Sequence, residues 1–184
     1  MKYAGIVDND VADSTTGMCV SFWTQGCPHR CPGCHNPETW SFDGGMDLPD
    51  NYLDILYEKL TANGILRDLS ILGGEPLCEE NKHLVYETIK AVKQKFPEIK
   101  INLWTGYLFE DLLSRKDAEM DFILANLYVL IDGPYIEAQR DVRLTMRGSS
   151  NQRMFLETDL KKALLLKSVA SKTSSKLTKW YEKS

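Results

Sequence analysis

The sequence predicts an α/β protein built on a mostly parallel sheet, and three observations carry that expectation. Short, near-continuous apolar runs alternate with stretches of helical period, in the order β, loop, α, β, α, β, α, β. Segments rich in Cys, Gly and Asp stand directly after the runs read as strands, which is where α/β folds place their ligand sites. The chain has 184 residues, 43% hydrophobic and 26% charged. That is enough for one globular domain that buries roughly 70% of its unfolded surface.

Each element has its own signal. Met18 to Thr24 is apolar and β-branched and leads straight into a cysteine-rich loop. Leu53, Leu56 and Leu60 recur at helical spacing, and Asn63-Gly64 supplies a stop. Asp68 to Leu72 is a short strand that ends in Gly73-Gly74-Glu75-Pro76. Val85, Ile89, Val92 and Phe96 mark an amphipathic helix closed by Pro97. Ile99 to Thr105 alternates as a strand before Gly106, Leu108 to Leu113 is helical, and Leu127 to Ile131 is a strand ending at Asp132-Gly133-Pro134. Residues 1–167 are expected to form one domain. Residues 168–184, rich in Ser and Lys, are read as a basic, mobile tail with a short helical tendency around Leu177 and Trp180.

The net charge of −4 gives no nucleic-acid footprint, so no nucleic-acid partner is expected. No apolar run approaches the ~18 residues of a membrane-spanning helix, and Met1 to Gly5 lacks the apolar core of a signal peptide. A cytoplasmic location follows, where five cysteines point to metal or redox chemistry rather than a disulfide framework.

Cys27, Cys31 and Cys34 carry the chemistry, in the run Cys27-Pro-His-Arg-Cys31-Pro-Gly-Cys34-His-Asn36. Three thiolates at this spacing make a cradle for a 4Fe–4S cluster with one iron left open. The spacing alone leaves rivals: a Cys3His zinc site completed by His29 or His35, a redox dithiol at Cys31 and Cys34, or buried thiols. Gly73 and Gly74 shift the balance toward a small-molecule site, because glycine lets the backbone approach a ligand. Cys19 and Cys78 lie outside the cradle and are read as structural.

The cysteine run, followed about 40 residues later by Gly-Gly-Glu-Pro, resembles the radical S-adenosylmethionine enzymes. Thr39-Trp40, Leu103-Trp-Thr-Gly-Tyr107, Asp132-Gly133 and Arg147-Gly-Ser-Ser-Asn-Gln-Arg153 narrow the resemblance to the activating proteins of anaerobic ribonucleoside-triphosphate reductase, over Met1 to about Phe155. The wider superfamily commonly has an aromatic residue before the third cysteine, near the adenine. Here it is Gly33, as in the activating proteins.

The resemblance implies a compact partial (β/α) barrel, a cluster on Cys27, Cys31 and Cys34, and S-adenosylmethionine as cosubstrate. Gly73 and Gly74 would meet the methionine part, with Glu75 bracing the turn. Gly33, Cys34 and His35 would lie beside the adenosyl part, and Thr105 and Asp132 would complete the cofactor site. The implied activity is reductive cleavage of S-adenosylmethionine to a 5′-deoxyadenosyl radical that makes a glycyl radical on the reductase, with reduced flavodoxin as electron donor. Activation of another glycyl-radical enzyme, of the formate-lyase type, and a non-catalytic zinc module are the alternatives. Arg140, Arg143, Arg147 and Arg153 are expected to help dock the reductase.

Overall fold

The computed structural model describes residues 1–181, with side chains through residue 170. The elements in chain order are β1 (Lys2–Asp10), β2 (Cys19–Thr24), β3 (Met46–Asp47), α1 (Tyr52–Leu60), β4 (Asp68–Gly73), α2 (Glu79–Lys95), β5 (Ile101–Trp104), α3 (Phe109–Ser114), α4 (Ala118–Ala125), β6 (Val129–Asp132), β7 (Arg153–Leu156) and α5 (Glu157–Tyr181). The strands form one seven-stranded sheet in the order β3-β1-β2-β4-β5-β6-β7. The central four, β2, β4, β5 and β6, are parallel. β1 and β3 on one side and β7 on the other run antiparallel. The sheet is therefore mixed, with a parallel centre, and three of its strands are ones that the sequence reading did not contain.

The two faces of the sheet differ. Val20, Phe22, Leu69, Ile71, Ile101, Leu103 and Leu130 form one core with Leu56 and Leu60 of α1, Val85, Ile89 and Val92 of α2, Ile123 and Leu124 of α4, and Leu160 of α5. The opposite face carries a polar row, because Ser21 pairs in register with Ser70 and Ser70 with Asn102. All three are fully buried. The loop after β1 satisfies part of this row. Ser21 Oγ donates to the Asp10 carboxylate, and Ser70 Oγ donates to the Asp13 carbonyl.

Local chemistry explains the helix ends. α2 opens with Glu79 and Glu80 in its first turn and ends with Lys93 and Lys95, in accord with the helix dipole. Asp117 caps α4, its Oδ1 accepting from the amides of Glu119 (3.0 Å) and Met120 (3.1 Å). α5 begins directly after β7 and runs through the domain boundary expected at residue 167. The side chains of the expected tail beyond residue 170, and all of residues 182–184, lie outside the described residues. Among the described residues no helix is long and apolar enough to cross a membrane.

Candidate active site

The cysteine loop is built where β2 ends. The Gly26 amide donates to Thr39 O (2.8 Å) and the Cys27 amide to Trp40 O (3.0 Å), so the loop closes on its own return strand of chain. The Phe42 ring fills the space where a side chain at Gly26 would sit. Gly73-Gly74-Glu75 then packs on this loop, backbone to backbone. The Gly74 amide donates to Thr24 O (2.9 Å) and the Glu75 amide to Gly26 O (2.7 Å). A Cβ on Gly74 would lie 2.3 Å from Gly26 O, and one on Gly73 would lie 2.6 Å from Thr24 O. These glycines are required first by the fit of two loops, a role the sequence reading had given to ligand approach.

Glu75, 1% exposed, braces both loops. Its Oε1 accepts from the Leu77 amide (2.9 Å) and from Thr105 Oγ1 (2.7 Å), and its Oε2 accepts from the Gly106 amide (2.7 Å). His29 Nε2 lies 3.0 Å from Oε2. The approach is off the N–H direction, so Nε2 has no hydrogen bond of its own. Asn81, 3% exposed, stitches the same junction, with its Nδ2 donating to Gln25 O (3.0 Å) and Glu75 O (3.0 Å). Nothing in the sequence marked Asn81, because its partners are backbone carbonyls brought together only by the fold.

Cys27, Cys31 and Cys34 line one cavity of about 160 Å³, together with Gly73, Gly74, Glu75 and Thr105. All three thiols are free and half-buried. Burial pushes the Cys27 thiol up, while the backbone amides of Arg30 and His29 pull it back. Burial also raises Cys31, against an amide donated by Tyr135. Burial dominates at both, so the net direction is toward the thiol. The amides at Cys27 and Cys31, and that of Asn36 at 3.4 Å from Cys34 Sγ, are donors that would stabilise thiolates once a cluster is bound. Cys19 and Cys78 are fully buried elsewhere, and burial lifts Cys78 to about 12, which keeps it an inert thiol.

The donor set can be tested against the rival metal centre. Among the described residues no three His, Cys, Asp or Glu side chains gather closely enough to hold one metal ion. His29 lines the same cavity with its Nε2 3.0 Å from Glu75 Oε2, and the His35 ring packs tilted against Tyr135, 5.1 Å away, so neither imidazole is gathered with the thiols around one metal position. Three free thiols bordering one cavity fit a cluster that takes one thiolate per iron.

A second cavity of about 480 Å³ continues from the first through Cys34, Asn36 and Tyr135, and adds His35, Arg147 and Asp13. Gly33 borders neither cavity. Its φ of +72° turns the chain, and the Glu137 side chain occupies the space a Cβ would need. Asp132 is also not brought to either cavity. It is fully buried, accepting from the Phe109 amide (2.7 Å) and paired with Arg153. Arg153 in turn bridges to Glu110, so this arginine ties β7 to β6 and α3. Gln152 accepts from the Gly148 amide (2.9 Å) and donates to Gly133 O (3.1 Å), bracing the loop that carries Tyr135.

Asp13 on the second cavity gives a pH prediction. Burial and then the Asp10 carboxylate raise it from 3.8 to about 7. An acid raised in the fold stabilises fully below its unfolded pKa, and that contribution is lost as pH rises through the folded value. Stability is therefore expected to fall between about pH 4 and pH 7, by roughly 1–2 kcal/mol for this partly exposed group. Urea unfolding at pH 5 and pH 8 checks it. Asp13→Asn should remove most of the difference, and an unchanged slope with pH would show that Asp13 is not its source.

Comparison with known proteins agrees with this site. A family model described as a 4Fe-4S single cluster domain matches residues 14–155. The chain is 38% identical to the anaerobic ribonucleoside-triphosphate reductase-activating protein of Enterobacteria phage T4, over 86% of this chain and 96% of the relative. The proteins of the same name from Haemophilus influenzae and Escherichia coli K12 are 34% and 31% identical, each over 83% of this chain and 96% of the relative. The thiol cradle, its glycine-packed support and these matches together place the chain in the family of anaerobic ribonucleoside-triphosphate reductase-activating proteins.

Proposed function

We propose that this chain is a radical S-adenosylmethionine activase that generates the glycyl radical of anaerobic ribonucleoside-triphosphate reductase. The observation that carries the reading is the meeting of Cys27, Cys31 and Cys34 on one cavity with the Gly73–Glu75 turn. In this reading the three thiolates hold a 4Fe–4S cluster and leave one iron open. The cluster, when bound, supplies the electron that splits the sulfonium of S-adenosylmethionine into methionine and a 5′-deoxyadenosyl radical, which takes a hydrogen atom from the reductase glycine.

The chain's own residues do the positioning. Glu75 ties the turn that follows Gly73–Gly74 to Thr105 and Gly106, so the methionine end of the cosubstrate meets a preset surface. Tyr135 and His35 form an aromatic side beside Cys34, open to the second cavity, where the adenosyl part and the incoming glycine loop would meet. Asp132 and Gly33 serve this site indirectly, through the loops they anchor. We further propose that the sheet belongs to the partial (β/α) barrel type, that the donor is a low-potential protein such as reduced flavodoxin, and that the reaction runs in the cytoplasm. The formate-lyase-type alternative gains no observation from this site.

Anaerobic reconstitution tests the reading. The wild-type chain should hold about four irons and four sulfides and release 5′-deoxyadenosine from S-adenosylmethionine with a chemical reductant. Cys27→Ala, Cys31→Ala and Cys34→Ala should each lose both properties, whereas Cys19→Ala should keep both. A cluster that survives Cys31→Ala, or a loaded wild-type protein that makes no 5′-deoxyadenosine, would overturn it.

A further inference from the structure

The amino-terminal edge of the sheet, at the opposite end of the strands from the cysteines, holds a separate concavity. It has a volume of about 350 Å³ and is lined by Thr16, Ile65, Leu66, Arg67, Asp68 and Lys100. Arg67 is only 5% exposed. Its Nη1 donates to Ala62 O (2.7 Å) and Ile65 O (3.1 Å), in the turn that follows α1. Its Nε is buried with no acceptor. Among the described residues its Nη2 donates to nothing, and it is not sealed from solvent. No ion pair joins Arg67 to any carboxylate among the described residues.

Lys100 also has no carboxylate partner there, and its Nζ sits 4.7 Å over the Tyr128 ring. The single acid on the wall, Asp68, already accepts from the Thr16 hydroxyl. Lys100 borders both this cavity and the neighbouring one, where its Nζ rests over Tyr128, so beside one carboxylate the wall holds a lysine and an arginine that is almost wholly withdrawn from water. A buried guanidinium without an anion is costly. The carbonyls at the end of α1 carry partial charge only and satisfy one of its three nitrogens.

We propose that this cavity binds an oxyanion of the phosphate class, held by Arg67 and Lys100. A planar guanidinium with free N–H groups matches a tetrahedral oxyanion, and a lysine beside it adds charge. The anion supplies what the site lacks, an acceptor for Arg67 Nη2, the nitrogen that the fold leaves both unbonded and open to solvent. Ile65 (61% exposed) and Leu66 (45% exposed) form an apolar rim, with room for the body of a phosphate ester. The site lies far from the cysteine loop in the topology, so its ligand stabilises or regulates the chain and takes no part in the chemistry.

The test uses the full, cluster-loaded chain under anaerobic conditions. Inorganic phosphate and a nucleoside monophosphate are titrated calorimetrically, with chloride at matched ionic strength as the control. Saturable phosphate binding that chloride does not mimic is expected. Lys100→Gln and Arg67→Gln should each weaken it by about tenfold, the loss of one charge-assisted contact. Lys100→Gln should leave 5′-deoxyadenosine formation unchanged. Tighter binding of the nucleotide than of phosphate assigns the site to an ester, and equal binding assigns it to free phosphate. If Arg67→Gln does not fold, Lys100→Gln and the chloride control decide the matter. No phosphate-specific binding to the wild type, or binding untouched by Lys100→Gln, overturns the proposal and leaves Arg67 as a cap on the turn after α1.

Discussion

Gly74→Val should abolish cluster assembly, because it drives the Gly-Gly-Glu-Pro turn and the cysteine loop apart. A Cβ at this position would stand 2.3 Å from the oxygen, 2.8 Å from the carbon and 2.9 Å from the nitrogen of Gly26. All three are backbone atoms of the residue next to Cys27, so no flexible side chain can yield. Overpacking into adaptable surroundings costs about 1–3 kcal/mol, and a clash with the Gly26 backbone belongs at or above the top of that range. Iron content after reconstitution and the unfolding midpoint measure the effect. A Gly74→Val protein with its full iron complement and only weakened S-adenosylmethionine affinity would restore the simpler idea that Gly74 makes room for ligand.

Arg153→Ala should destabilise the fold by about 3 kcal/mol, the lower end of the cost of breaking a buried ion pair, since the guanidinium itself is partly exposed. The loss leaves the fully buried Asp132 carboxylate with a single amide donor, that of Phe109. It also releases Glu110 and removes the guanidinium from the Phe155 ring, 5.0 Å away. Arg143→Ala is the contrast. Arg143 pairs with Asp141 on the surface, and its loss should change stability by less than about 0.5 kcal/mol. Chemical denaturation of both variants separates the two roles. If Arg153→Ala kept wild-type stability and lost only activation of the reductase, Arg153 would be a docking residue after all.

The parallel centre of the sheet could be read from the chain because its strands carry their own signals. Cys19–Thr24 and Asp68–Gly73 are apolar runs that end at the cysteine loop and at the Gly73-Gly74 turn, and each lies within about two residues of where the sequence placed it. β1 could not be read that way. Lys2–Asp10 contains Gly5 and two register irregularities against β2, and it becomes a strand only by pairing with its neighbour. β7 is four residues fixed by antiparallel pairing to β6 and by the Arg153–Asp132 contact, both long-range. α4 is absent from the sequence reading although its start carries a signal, an Asp117 cap followed by Glu119 and Asp121 in the first turn.

The site was legible in the same uneven way. Cysteine spacing identified the cradle, because ligand spacing is a local property of the chain. Which residues face a ligand and which hold the loops is decided by packing. Glu75 and Thr105 bond to each other, Asp132 turns to Arg153, and Asn81 and Tyr135 enter through backbone contacts that no residue pattern announces.

The central claim is that this cradle makes a radical and passes it to a protein glycine. The most direct test mixes the anaerobically reconstituted chain with S-adenosylmethionine, a low-potential reductant and anaerobic ribonucleoside-triphosphate reductase, and records the electron paramagnetic resonance spectrum. The account predicts the doublet of a glycyl radical on the reductase, absent when Cys34→Ala replaces the wild type. A fully loaded wild-type protein that yields no glycyl radical on the reductase would contradict it.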